Sequence, residues 1–227
     1  MEMKAWVHLP STWVQRYGLK EFSWRDGGSD NTAALMALIA IAHRADQETG
    51  SAHLTYDNLC CAVGISRAKL SRGLQLLEER KIVSRNLNGR SSFQLSDYSL
   101  SSGWCKLPAK LMYRGEIIEA FRHFTLRQRA ELNALKLYLL FAARRGRDTN
   151  LANISYEKIT EYSGVRAHEI KPATSMLGSL SLAYVERLPS AASSHGIANA
   201  YRLVGLDSRR HMGTIGRRLG EFDLEPF

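Results

Sequence analysis

The chain is poor in most of what would mark an enzyme, a secreted scaffold or a membrane protein. It has three cysteines in 227 residues. Cys60 and Cys61 are adjacent and Cys105 stands far off, which gives neither a disulfide framework nor a metal-ligand spacing. These thiols are expected to be idle in a reducing compartment. The seven histidines fall at no i, i+4 pair and have no cysteine alongside, so no metal is expected. There is no Gly-rich phosphate loop followed by Lys-Ser/Thr, no nucleophile elbow, and no carboxylate pair at a hydrolase spacing. A non-enzymatic protein without cofactors is therefore expected. The longest apolar stretch, 33–42, is too short to span a bilayer, and residues 1–10 carry charge without the apolar core of a signal peptide. The expectation is a soluble, cytoplasmic protein.

Acidic residues are also in short supply: 22 against 31 Lys and Arg, a net charge of +9. A basic surface gains free energy by displacing counterions from phosphates, which favours a polyanionic partner. The excess is uneven. Residues 1–100 hold 12 basic and 10 acidic side chains, whereas residues 101–227 hold 19 and 12. The second half includes Arg144, Arg145, Arg147 and the pairs Arg209/Arg210 and Arg217/Arg218. With 44% hydrophobic residues the chain can bury real cores, and its length fits two units of about 100 residues.

Two units are what the sequence repeats. Trp6-Val-His-Leu-Pro10 returns as Trp104-Cys-Lys-Leu-Pro108. Leu54-Thr-Tyr56, Leu59 and Gly64-Ile65 return as Ile154-Ser-Tyr156, Ile159 and Gly164-Val165. The order and near-constant offset of the blocks read as an internal duplication. Each copy follows one plan. A first helix has its apolar face at Leu35, Leu38, Ile39 and Ala42, or at Leu132, Leu135, Leu139 and Ala142. A polar loop leads to Thr55 or Ser155 as N-cap, and a short helix ends at Gly64 or Gly164. A third helix follows, from about Ser66 to Arg80 in the first copy, with Leu70, Leu74 and Leu77 inward. A β-hairpin then closes each copy, the second with the longer polar tip. Pro172 falls within the third helix of copy two, so that helix is expected to begin near Lys171 or to bend. Ser and Gly across 96–103 read as a linker. The expected fold class is mainly α with small β-hairpin wings (α+β), as two tandem winged helix-turn-helix domains. The expected domains are 1–98 and 99–206, followed by a flexible tail, basic then acidic, over 207–227.

In such a unit the third helix enters the major groove and the hairpin touches the backbone or minor groove. In copy one Ala68, Arg72 and Gln75 lie outward, flanked by Ser66, Arg67, Lys69 and Ser71, with no acid from Ser66 to Arg72. Arginine can make bidentate contacts to guanine, and glutamine can pair with adenine. Arg85, Asn88 and Arg90 of the hairpin are candidates for phosphate. Copy two offers Arg166, His168, Lys171 and Ser175, with His195 on its hairpin. Trp6, Trp13, Trp24 and Trp104 read as packing residues rather than platforms for bases.

Copy one, with Leu9-Pro10, the helix around Leu35 to Ala42, Leu54-Thr-Tyr56 and Gly64-Ile-Ser-Arg-Ala-Lys-Leu-Ser-Arg-Gly-Leu74, resembles the helix-turn-helix domains of phage and plasmid replication proteins and of many bacterial regulators. The two-copy arrangement is similar to plasmid replication initiators, and Ile170-Lys-Pro-Ala173 resembles the proline-bearing recognition helix of their second domain. The resemblance implies double-stranded DNA as partner. The first expectation is a sequence-specific transcriptional regulator of a plasmid, phage or other mobile element. The alternatives are an initiator that binds origin repeats, and a winged-helix adaptor making protein contacts. A homodimer and host replication or transcription proteins are the further partners that this reading implies.

Overall fold

Left-handed backbone turns mark the repeat more sharply than side chains do. A computed structural model describes residues 3–86, 92–189 and 197–206. Thirteen of these have φ between 52° and 86°. Twelve of the thirteen pair across the two halves: Tyr17 with Gly115, Gly27 with Leu126, Gly50 with Asn150, Gly64 with Gly164, Lys81 with Ser181, and Asp97 with Gly205. Gly103, between the halves, stands alone. Such conformations cost a side-chain-bearing residue free energy, and the halves place them in the same order.

Between these turns the same elements recur. The first half runs β1 (Trp6–Pro10), α1 (Thr12–Gln15), a 3-10 turn (Gly18–Glu21), α2 (Gly28–Arg44), β2 (Ser51–His53), α3 (Tyr56–Val63), α4 (Arg67–Glu79), β3 (Val83–Asn86) and β4 (Ser92–Leu95). The second half opens with β5 (Trp104–Pro108), a 3-10 turn (Lys110–Met112), the short hairpin β6 (Tyr113–Arg114) and β7 (Ile117–Ile118), and another 3-10 turn (Glu119–His123). It continues with α5 (Arg129–Arg144), β8 (Leu151–Asn153), α6 (Tyr156–Ser163), α7 (Ala167–Ser179), β9 (Ala183–Pro189) and β10 (Ile197–Leu203). The antiparallel sheets β2-β4-β3 and β8-β10-β9 have the same strand order. The architecture is α+β, helices with small antiparallel sheets.

Local chemistry explains the boundaries. Thr55 accepts from the Asn58 amide at 3.1 Å and Ser155 from the Lys158 amide at 3.2 Å, capping α3 and α6. Gly64 and Gly164 end those helices at φ 70° and 69°. The buried Glu131 carboxylate accepts from the amides of Thr125 and Gln128 at 2.6 and 3.3 Å, tying the preceding loop to the first turn of α5. At the equivalent place Asn31 donates to the carbonyls of Ser23 and Asp26. Of the two alternatives expected in copy two, the late start is overturned: α7 begins at Ala167, not near Lys171, and continues through Pro172. The carbonyl deprived of a partner belongs to His168, on the exposed side of the helix, where water can serve it.

The first helices are not amphipathic in place. Every α2 residue from Asn31 to His43 is buried, as is every α5 residue from Glu131 to Ala142. A helix buried all round needs partners on several sides, and here α2 and α5 pack on each other. The two halves share one core, running from Val7 through Leu38 and Leu139 to Leu203. β1 and β5 pair antiparallel, Trp6 opposite Pro108 and Pro10 opposite Trp104, with His8 opposite Lys106 at the centre. That register maps each strand onto its repeat, which places a local two-fold axis at His8 and Lys106. The 3-10 turn Gly18–Glu21 packs on α6 and, reciprocally, β7 packs on α3. Lys136 of α5 donates to the Phe22 carbonyl at 2.9 Å, and Tyr17 stacks on Tyr162 at 4.9 Å. The expected linker is held too: Gly103 accepts from the Ser11 amide at 2.7 Å, and Tyr98 donates to the Gln47 carbonyl at 2.8 Å. No helix among the described residues is long and apolar enough to cross a membrane.

Candidate nucleic-acid interface

The outward face of α4 follows from its inward one. Leu70, Gly73, Leu74 and Leu77 are buried, and α4 crosses α2 at Gly73. A Cβ built there would lie 2.8 Å from the Ala34 nitrogen and 2.9 Å from the Ala33 carbonyl carbon. That close approach leaves Arg67, Ala68, Ser71, Arg72 and Gln75 on the solvent side, all exposed. Ser66 caps the helix, accepting from the Lys69 amide at 3.3 Å.

These residues differ in how far they are committed. Arg72 and Ser71 have no hydrogen-bond or ion-pair partner within the described residues. Arg67 lies over the Tyr56 ring at 5.3 Å and reaches Asp57 at 3.1 Å. With side chains 69% and 83% exposed, that pair holds the guanidinium weakly and leaves it free to exchange partners. Gln75 donates to Glu79 at 2.8 Å on the same exposed face. Tyr56, Arg67, Ala68 and Ser71 line an open concavity of about 430 Å³. Tyr56 was not legible as a site residue from spacing, although its repetition as Tyr156 after each N-cap was visible.

Two of the expected contact residues are engaged within the protein. Lys69 turns back to the first turn of α2, donating to Asp30 at 2.6 Å and Ser29 at 2.9 Å, and its side chain is only 25% exposed. It lies at the third position of α4, beside the α2 terminus, so an acid there captures it. Arg85 is likewise engaged, paired with Glu78 and donating to the Tyr56 hydroxyl at 2.7 Å. That partnership raises its already high pKa and holds the Glu78 carboxyl below its ordinary value. Arg85 therefore braces the hairpin against α4 and α3. Asn88, Arg90 and His195 lie outside the described residues.

On α7, Arg166, His168, Lys171 and Ser175 are all exposed, and Pro172 occupies the position of Arg72. The third position again makes an ion pair to the first helix, with its sign reversed: Glu169 accepts from Arg129 at 2.9 Å. Glu169 also accepts from the Arg166 amide. The charge excess of the second half is partly structural. Arg144 lies over the Tyr162 ring at 4.3 Å, and Arg145 donates to Asn150 at 3.0 Å. The arginine pairs at 209/210 and 217/218 lie outside the described residues.

The tryptophans pack, as expected of them. Trp6 and Trp104 lie parallel across β1 and β5, with ring centres 6.3 Å apart, and the His8 ring is edge-on to Trp104 at 4.0 Å. Burial and the nearby Lys4 and Lys106 hold His8 below its ordinary pKa. All three cysteines are free, and burial pushes the Cys105 thiol up to about 12, leaving it an inert core group. No cluster of metal-ligating side chains occurs among the described residues. Comparisons with family models, with curated proteins and with solved structures find no match for this chain.

Proposed function

We propose that the chain is a sequence-specific double-stranded DNA-binding protein built from two tandem winged helix-turn-helix units, acting as a transcriptional regulator by occupying an operator. The observation that carries the reading is the outward face of α4. Arg67, Ser71, Arg72 and Gln75 stand exposed on a helix that follows a tight glycine turn, and no acid lies among positions 66–72. Such a face suits the major groove, where arginine reads guanine and glutamine reads adenine. The net charge of +9 suits a phosphate-rich partner.

The local two-fold axis adds a statement about the target. One chain presents α4 and α7 in inverted relation, and their outward residues differ. One molecule therefore covers one site with two inverted, unequal halves at fixed spacing. Selection of duplexes from a random pool, with stoichiometry measured on the winner, tests this. The expected result is one chain per site, with the better-defined half belonging to α4. A pool that yields no preferred sequence sinks the reading, whereas enrichment for one symmetric palindrome bound by two chains sinks the one-chain geometry.

A further inference from the structure

The C-terminal ends of α4 and α7 occupy equivalent places and are finished differently. In the first half Arg80 caps α4 and folds back, its guanidinium 4.1 Å over the Phe22 ring. It donates to the Glu21 carbonyl at 2.9 Å and lies 3.7 Å from that residue's carboxylate, with its side chain only 14% exposed. One hundred residues on, Leu180 stands at the place of Arg80. Leu111, three residues past Pro108, stands at the place of Trp13, three past Pro10. A guanidinium and an indole are thus both replaced by leucine. The corner they would fill is a cavity of about 270 Å³, whose walls include Leu111, Met112, Glu119, Tyr138, Leu180 and Ser181.

We propose that this cavity is a binding site for a small organic cation, a guanidinium or primary amine carried on a flat apolar group. The first half shows what satisfies such a corner: a planar cation against an apolar face, with an acid and a carbonyl at its edge. The second half keeps leucine, methionine and tyrosine side chains in its walls beside polar groups, and an acid, Glu119; His123 is the one basic residue that lines it, and Arg122 lies at its edge. Glu119 is only loosely occupied, by Arg122 at 3.4 Å with both side chains about half exposed, and such a pair yields readily to a better-placed cation. Leu111 is 73% exposed, so an apolar guest would cover a side chain that water now meets. The volume lies just under that of drug-sized pockets and suits a fragment-sized guest. This guest would touch the end of α7 and the 3-10 turn Glu119–His123 at once.

Titration of the full chain with 2-phenylethylguanidinium, followed by the Met112 methyl resonance, tests the site. The neutral 3-phenylpropanamide serves as control, and Met112→Leu assigns the signal. A saturable shift is expected with the guanidinium and not with the amide. Glu119→Gln should weaken it at least fivefold. Leu180→Arg, which rebuilds the filling of the first half, should abolish it with the melting temperature maintained or raised. Absence of a saturable Met112 shift overturns the proposal, as does an equal response to the amide. Undiminished binding by a folded Leu180→Arg protein overturns it too. Should Leu180→Arg fail to fold, Glu119→Gln decides alone, with unchanged affinity counting against the site.

Discussion

Arg72 and Lys69 lie one turn apart on α4 and carry the same charge, but their surroundings give them different work. The Lys69 ammonium is held by Asp30 and Ser29, while the Arg72 guanidinium faces solvent. Replacing Arg72 with Ala should weaken binding to a selected duplex by about 1–3 kcal/mol and relax preference at one base position. Lys69→Ala should instead lower stability, since it leaves Asp30 without its cation, and alter sequence preference little. Anisotropy titrations on selected and scrambled duplexes separate the two; equal, small effects of both would remove α4 as the reader. His43 tests the core in another way. Burial pushes its imidazole down to about 3 from 6.5, with the ring 3.2 Å from the Tyr113 hydroxyl. The unfolded chain takes up this proton near pH 6.5 and the folded chain does so only near 3, so the stability that neutral His43 allows is complete above about 6.5 and is lost as pH falls. Over that window one proton gives a slope of about 1.4 kcal/mol per pH unit. Unfolding free energies of the wild type and His43→Gln, taken from urea titrations between pH 7 and 4, should differ in pH dependence by that slope. Parallel curves would mean that His43 protonates while folded.

At the scale of elements, what was legible in sequence was what repeats over several turns or sits at a cap. The 3.6-residue spacing of Leu70, Leu74 and Leu77, the caps Thr55 and Ser155, and the turns at Gly64 and Gly164 placed α3, α4 and α6 to within a residue or two. Pieces of less than two periods left no periodic signal, among them α1, the 3-10 turns, and the β6–β7 hairpin. The engagement of Lys69 was hidden for a different reason, because it depends on which turn of α2 the helix α4 crosses. That crossing rests on Gly73. An added Cβ would meet the Ala33–Ala34 backbone at under 3 Å, and backbone cannot yield as a flexible side chain can. Gly73→Ala should therefore cost about 1–3 kcal/mol by overpacking, despite the better helix propensity of alanine. The second copy already carries Ala173 at this position, so Ala173→Gly should lack the steric component. Chemical denaturation of both variants measures it, and a stabilised Gly73→Ala protein would show that α4 sits further from α2 than described.

For the whole molecule, a duplication read along the chain suggests two beads joined by a linker over 96–103, and the packing turns this into one body. The sequence showed that Trp6–Pro10 and Trp104–Pro108 are copies. It could not show that the copies pair with each other, since a strand carries no mark of its partner. Once they pair, Val7, Leu9, Cys105 and Leu107 form one buried face, and α2 and α5 each cover what the other would expose. Residues 1–98 or 99–206 alone would lay bare a largely apolar helix surface, more than a soluble unit tolerates. The intact protein should therefore unfold in one cooperative step, with equal calorimetric and van't Hoff enthalpies. Leu107→Ala, which removes a fully buried side chain from this shared face, should move that single step by about 2–5 kcal/mol without splitting it. Independent units would instead show two transitions, with the one belonging to the first half left in place by a substitution in β5. The same shared core bears on the proposed DNA binding: halves packed on each other hold α4 and α7 at one separation, so on that reading the spacing of the two half-sites would be set by the core and not by a tether.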